Sequence, residues 1–398
     1  MRKKIAIIGG GPSAMMLAAH LDTDKYEVSL YEKNHHLGKK FLVAGKGGFN
    51  LTHSEEVEVF AGRYHPNYFL KKAVTNFSNT DLREWMREIG IETYTGTSKR
   101  VFPVKGIKPV DVLDAIVEEI NQNHVRIITG MKWLGFATDN SLIFESKYGI
   151  ENVKPDFAIF ALGGASWKIT GSDGSWLPHF MEKGINCNPF EPSNCALKTE
   201  WPEAVINKLE GAALKNCKFK CGQSFQLGEA VITAFGIEGS GIYPLSQEVR
   251  WQLSNLNKAQ LYIDLKPQNT IGELEEKLKD RKNIRITGFL EREVTLGEVK
   301  TLLLKSIISK DDFVDSSLLS ERIKNLPVVI TGLAPLDEAI STVGGIDLKE
   351  VDEHYQLKKF PNHFVIGEML DWDAPTGGYL LQACFSMGNQ LAHHLNKI

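Results

Sequence analysis

Residues 3–32 read KKIAIIGGGPSAMMLAAHLDTDKYEVSLYE, and how this stretch folds decides the class of the whole chain. KKIAII is a short apolar, β-rich run, GGGPSA is a turn, MMLAAHL has helical spacing, and YEVSLYE is a second strand that ends in an acid. The stretch predicts a β-α-β unit, which builds parallel sheets with ligand sites at the carboxyl ends of the strands. Within it, Gly9-x-Gly11-x-x-Ala14 falls between strand and helix, with Pro12 and Ser13 as the spacers. Gly9 permits the tight turn, Gly11 lets backbone approach a pyrophosphate, and Ala14 lets helix and strand pack closely. The helix start offers free N–H groups and its positive dipole end to phosphate. Glu32 ends the second strand 23 residues after Gly9, where a carboxylate can accept both hydroxyls of a ribose. An acid there repels a 2′-phosphate, so the pattern points to FAD or NAD rather than NADP. A second glycine cluster, AFGIEGSG at 234–241, has the reverse spacing with no long amphipathic helix expected after it, and reads as a turn or loop of a β-rich region.

At 398 residues the chain exceeds what one hydrophobic core usually serves, so two or more structural units are expected. The net charge of −3, from 46 basic and 49 acidic residues, argues against a nucleic-acid partner. No apolar run approaches the roughly 20 residues of a membrane helix, and the short apolar stretch at the N-terminus runs directly into glycines. The expectation is a soluble, cytoplasmic protein without a membrane partner. The five cysteines (187, 195, 217, 221 and 384) show no CxxC pair, which fits a reducing compartment. In CKFKC, 217–221, the spacing is that of a strand with structural thiols. No histidine has metal-ligand spacing, and no metal is expected.

The chain changes character twice. Helices are expected around 66–89 and 109–122, followed by a VRIIT strand, a polar hairpin and the buried strand FAIFALGG at 157–164. From about 190 to 265 short β-rich runs, CALKTEW among them, are separated by glycine, proline and asparagine. From 271 to 325 the pattern is helical. The final stretch returns to glycine punctuation, with the strand HFVIGEML and the helix YLLQACFSMGNQLAHHL.

Several stretches together carry a resemblance: IAIIGGGPSA and YEK, GKKFLVAGKGGFNLTH at 38–53, SKRVFP at 98–103, FALGGAS at 160–166, STVGGIDLKEVD at 341–352, and IGEMLDWDAPTGGYLLQACFSMG near the end. On these the sequence resembles the BaiN-like (YhiN-like) family of FAD-dependent oxidoreductases, within the glutathione-reductase-like flavoprotein fold. The resemblance implies an α/β fold with a Rossmann-like FAD-binding domain, residues 1–189 and 336–398. An inserted β-rich, barrel-like domain with a small helical subdomain would fill 190–335. Many members carry Ser-Gly-x-Gly-Arg-Cys-Asn where this chain has AGKGGFN at 44–50, so Gly48 and Phe49 stand in place of the Arg-Cys pair. The chain resembles a distinct branch.

Carried over residue by residue, the resemblance puts Gly9, Gly11, Ala14 and Glu32 on the ADP half of FAD, with Lys40 near the phosphates and Lys33 a further cofactor contact. Trp133 would face the adenine through its backbone, and Gly163 and Gly164 would close over the cofactor. Glu368 would meet the ribityl or phosphate portion, with Asp371 a further contact. Gly377, Gly378 and Tyr379 would open the helix aimed at the flavin ring, whose reduced form is anionic and suits a helix N-terminus. Gly45, Lys46, Gly47 and Asn50 would lie against the flavin. GKGG itself fails as a triphosphate loop: Walker A needs GxxxxGK followed by Ser or Thr, whereas Lys40 holds the first position here and Gly47 follows Lys46. Arg100 is a lone arginine with either a cofactor, substrate or ion-pair role, and no general acid or base stands out. The expected activity is hydride transfer between flavin N5 and an organic small molecule, with NADH or NADPH as the transient donor. A flavin-binding redox sensor or scaffold without turnover is the alternative.

Overall fold

The computed structural model describes residues 2–43, 49–281 and 284–398. The chain divides into two compact units, one formed by residues 1–191 with 341–398 and the other by residues 192–340.

The first unit is built on a five-stranded parallel sheet in the order His363–Val365, Phe157–Phe160, Lys3–Ile8, Tyr26–Glu32, Arg126–Thr129. Ile5 through Ile8 are at most 2% exposed, as expected of a central strand covered on both faces. The helix Pro12–His20 that follows is buried from Ser13 to Ala18. It packs against the C-terminal helix Tyr379–Leu395, and the two approach closely because Gly388 has no side chain: a Cβ there would stand 2.4 Å from the Ser13 carbonyl oxygen. Hydrogen bonds fix the far end of that helix, with Tyr26 Oη donating to the Leu395 carbonyl at 2.7 Å and Asn396 Nδ2 to the His20 carbonyl at 2.8 Å. The β-α-β reading of 3–32 is therefore realised, and the last strand and helix of the chain complete its sheet and cover its helix.

Other expectations are corrected. The helix read over 66–89 is two helices, Asn67–Asn76 and Asn79–Glu88. The break comes at Ser78, whose hydroxyl accepts from Asp81 N while Asp81 accepts from Ser78 N, a capping box that outweighs the continuing apolar periodicity. HFVIGEML is a strand only at His363–Val365; Gly367, at φ +77°, turns the chain into a 3-10 turn. CALKTEW pairs only at Leu197–Lys198.

The second unit holds a seven-stranded antiparallel sheet in the order Leu326–Ile330, Ala259–Asp264, Ala213–Cys221, Ser224–Ile232, Gly236–Glu238, Leu197–Lys198, Gly332–Leu333. Among the described residues five helices between Ile271 and Lys324 pack on its core. Cys217, Phe219 and Cys221 alternate inward and are fully buried, with Lys218 and Lys220 outward, so the CKFKC thiols are core packing. The second glycine cluster turns at Gly239 after the strand Gly236–Glu238. Contrary to expectation an 11-residue helix does follow, Ser246–Leu256, but it starts only after an intervening 3-10 turn. Among the described residues no helix is long and apolar enough to cross a membrane.

Two outcomes follow from this packing. Gly388→Ala should cost about 1–3 kcal/mol, because backbone must move to admit the methyl group; Gly272→Ala, at an exposed helix position with no atom within 4 Å of the new methyl, should be neutral or slightly stabilising. Thermal unfolding of the two variants checks this. Burial lowers the pKa of His20, His53, His363 and His394. The folded chain then binds fewer protons than the unfolded chain below its ordinary histidine range of about 6.5, so stability is full above that pH and declines as pH falls beneath it. The unfolding temperature measured from pH 8 to pH 5.5 should decline through that window.

Candidate functional site

The turns after Ile8, Phe160 and Val365 meet at the carboxyl ends of the parallel strands. Gly9 sits at φ +102°, and a Cβ on it would stand 2.4 Å from the carbonyl oxygen of Ala161, at the end of the neighbouring strand. Only glycine admits that approach. Gly11 differs: its φ is −82°, and a Cβ there would meet no protein atom within 4 Å, because that side of its backbone opens onto a cavity. The cavity measures about 260 Å³ and is lined from all three turns.

Of the residues expected to hold a cofactor, Gly9, Gly11, Pro12, Ser13, Glu32, Lys33, Lys40, Trp133, Gly163 and Glu368 line this cavity. They come from both ends of the chain and its middle, so the fold gathers what the sequence scatters. Ala14, in the helix Pro12–His20, is fully buried and outside the cavity lining. Gly164 is packed instead on Thr342, whose Oγ1 would be 2.2 Å from a Cβ there. Asp371 is turned away: its carboxylate accepts from Gly344 N at 2.8 Å and from Asn188 Nδ2 at 2.7 Å, which makes it a loop clamp. Asn50, Gly377, Gly378 and Tyr379 lie outside the cavity lining. Gly45, Lys46 and Gly47 lie outside the described residues.

The charged groups on the wall are organised. Glu32 Oε2 accepts from Gly10 N at 2.7 Å, and Oε1 accepts from Asn34 N at 2.8 Å and Asn34 Nδ2 at 2.6 Å. A carboxylate offers about four acceptor sites, so Glu32 keeps about one for a ligand rather than the pair expected from its position. Lys40 Nζ bonds Ser166 Oγ at 2.8 Å and Glu368 Oε2 at 2.9 Å, while Glu368 Oε1 accepts from Thr342 N at 3.2 Å. Lys33 pairs with Asp173 at 2.9 Å. Burial alone would raise the Asp173 pKa, but hydrogen bonds from Ser175 and Lys33 outweigh it and hold the acid below its ordinary range.

The apolar part of the wall centres on Trp133. Its ring meets Phe160 and His179 edge-on at 5.1 and 5.2 Å, and its Nε1 is buried with no hydrogen-bond partner. A buried N–H without an acceptor is uncommon, and here it belongs to a cavity-lining side chain. Trp176 Nε1 donates to the Gly163 carbonyl at 2.8 Å and ties down the loop that follows the Phe157–Phe160 strand. Cys384 also lines the cavity, its thiol pushed up to about 12 chiefly by burial, so it is not a thiolate nucleophile near neutral pH.

Sequence reasoning missed Trp176, Asp173 and Cys384. The run TGSDGSW at 170–176 carried a loop signal in its small residues, but nothing local showed that the loop folds back over the strand ends. Cys384 sits inside an apolar helix, where its neighbours give no sign of which face meets a ligand.

Comparison with known proteins agrees with this architecture. The chain is 25% identical to the 3-dehydro-bile acid delta(4,6)-reductase of Clostridium scindens, across 97% of each protein. It is 22% identical to the ribosomal RNA dihydrouridine synthase of Haemophilus influenzae, across 98% of each. The 3-ketosteroid delta1-dehydrogenase of Sterolibacterium denitrificans has a similar fold, with a TM-score of 0.52 and 12% identity over 99% of this chain and 100% of that one. The model of the HI0933-like protein Rossmann domain matches residues 3–394, and the chain belongs to that family.

Proposed function

We propose that this protein is a cytoplasmic FAD-dependent oxidoreductase that reduces a carbon–carbon double bond of an organic substrate and takes its electrons from NADH or NADPH. The observation that carries the reading is Gly11, a backbone position with an open side at the mouth of a helix, facing the cavity at the strand ends. The unpartnered Nε1 of Trp133 and the ammonium of Lys40 on the same wall fit a dinucleotide, which offers acceptors to the first and negative charge to the second. The names of two relatives describe reductions of a ring double bond, in a bile acid and in a uridine.

Bound FAD would supply two-electron chemistry at its N5. The chain's own residues bind and orient. Glu32, held by Gly10 and Asn34, presents its remaining acceptor to the ribose. Gly11 and the helix start receive the pyrophosphate, with Lys40 as counter-charge steadied by Glu368. Trp133 and its aromatic neighbours exclude water at the adenine end. Lys46 and Asn50 would contact the flavin. The net charge of −3 favours a small molecule as substrate, while the ribosomal RNA relative makes a uridine base the competing substrate.

Purified protein should show the two visible bands of oxidised flavin. Gly11→Ala should fold as the parent does, since a Cβ there meets no protein atom within 4 Å, yet bind FAD at least about tenfold more weakly, as expected when a side chain fills a backbone–phosphate contact. Equal FAD affinity would remove Gly11 from the site. Anaerobic rapid mixing with NADH and with NADPH should bleach the flavin; inertness to both would favour a sensor. Reoxidation of the reduced protein by a conjugated ketone or by a uridine-containing RNA separates the two substrate classes.

A further inference from the structure

The short strands Thr52–His53 and Arg100–Pro103 pair antiparallel, with His53 directly opposite Arg100. Directly paired residues share one face of a ladder. Here that face looks onto the start of the C-terminal helix. The His53 ring stacks on Tyr379 at 5.2 Å and 24°, and Arg100 Nε lies 3.3 Å from where a Cβ on Gly377 would stand. Gly378, at φ +104°, would place a Cβ 2.5 Å from Thr52 Cα, so the helix start is pressed against this strand by the absence of side chains.

The polar groups of the cluster are unequally satisfied. Tyr379 Oη donates to Glu55 Oε2 at 2.8 Å, and Glu55 also takes Nε and Nη2 of Arg63 at 3.1 and 2.6 Å, so that acid, arginine and phenol close on one another. Arg100 stands apart: among the described residues no carboxylate pairs with it and no acceptor takes its guanidinium hydrogens. Beside it, His53 Nδ1 is buried with no hydrogen-bond partner. An unneutralised guanidinium and the positive end of a 17-residue helix converge on one spot and favour an oxygen with negative charge, and the unpaired His53 nitrogen can donate to that oxygen in the tautomer that carries its hydrogen there.

We propose that His53 and Arg100 bind the conjugated oxygen of the substrate, a carboxylate or carbonyl oxygen that carries or acquires negative charge during reduction. The place of the reacting carbon rests on the flavin reading above; the oxygen site rests on the cluster. Bound reduced flavin would supply the hydride for the far carbon of the double bond and water the proton for the near carbon, so that negative charge would gather on the conjugated oxygen in between. Arg100 holds the oxygen as charge builds on it, and Tyr379, fixed by Glu55 and Arg63, holds His53 in place.

Calorimetric titration of the flavin-loaded protein with cinnamate, a conjugated carboxylate, and with cinnamyl alcohol, its uncharged counterpart, tests this. Cinnamate should bind one to one, at least about tenfold more weakly to Arg100→Met, with partial recovery in Arg100→Lys and an intermediate loss in His53→Phe, while cinnamyl alcohol should not distinguish the variants. Flavin content and unfolding temperature establish that each variant is folded, and if Arg100→Met is not, Arg100→Lys and His53→Phe decide. Cinnamate binding unchanged by the Arg100 and His53 substitutions, or absent from the loaded parent protein, would overturn the proposal. A colourless protein that still binds cinnamate through Arg100 would instead sink the flavin reading and leave the oxygen site standing.

Discussion

The contact between Gly9 and the Ala161 carbonyl is the constraint on which the first unit turns. Two parallel strands can end this close together only if the residue leaving the first has no side chain, and at φ +102° a Cβ would collide with the oxygen. Given that contact, the first helix starts over the strand ends, its free N–H groups face the cavity, and the loop after Phe160 lies across the opening. The same device recurs where Gly388 meets the Ser13 carbonyl, which brings the last helix of the chain down onto the first. Backbone-to-backbone closeness at those points gathers segments from residues 9, 161 and 367 onto one wall.

That wall keeps its charges in reserve through pairing. Lys40 with Glu368 and Lys33 with Asp173 place two cations on the cavity without leaving either uncompensated. All four side chains are partly exposed, so each pair holds geometry more than it adds stability. Glu32 shows the same economy, with most of its acceptor capacity committed to Gly10 and Asn34. A site built this way is shaped before its ligand arrives, so less ordering remains to be done on binding. The contrast is Arg100, which among the described residues has no such compensation and lies against Gly377.

Much of this was legible from local signals. Strand, glycine turn, helix and terminal acid stand within 30 residues, and each step has a local cause: apolar runs, glycine freedom, a helix start. The C-terminal helix was read to its ends, because nothing within it interrupts its 3.6 period. Where local signals competed, the reading failed. Ser78 and Asp81 formed a capping box inside an unbroken apolar pattern, and Gly367 cut short an apolar run that looked like one strand. Asp371 shows a third kind of limit: an acid near a glycine-rich turn suits a ligand or a loop equally, and only the positions of Gly344 and Asn188 distinguish them.

By itself the sequence determined the parallel α/β class, the turn that opens the first helix, and the family, since each depends on residues adjacent in the chain. Tertiary structure decided which residues share the cavity: Trp133, Asp173, Glu368 and Cys384 join Gly11 there although they are spread over more than 250 positions of sequence. It also set His53 opposite Arg100, through a strand register that neither residue encodes locally. The physical reason is range. Hydrogen-bonded turns and helical periods act over a few residues, whereas a site is made where burial and backbone contact bring distant segments together.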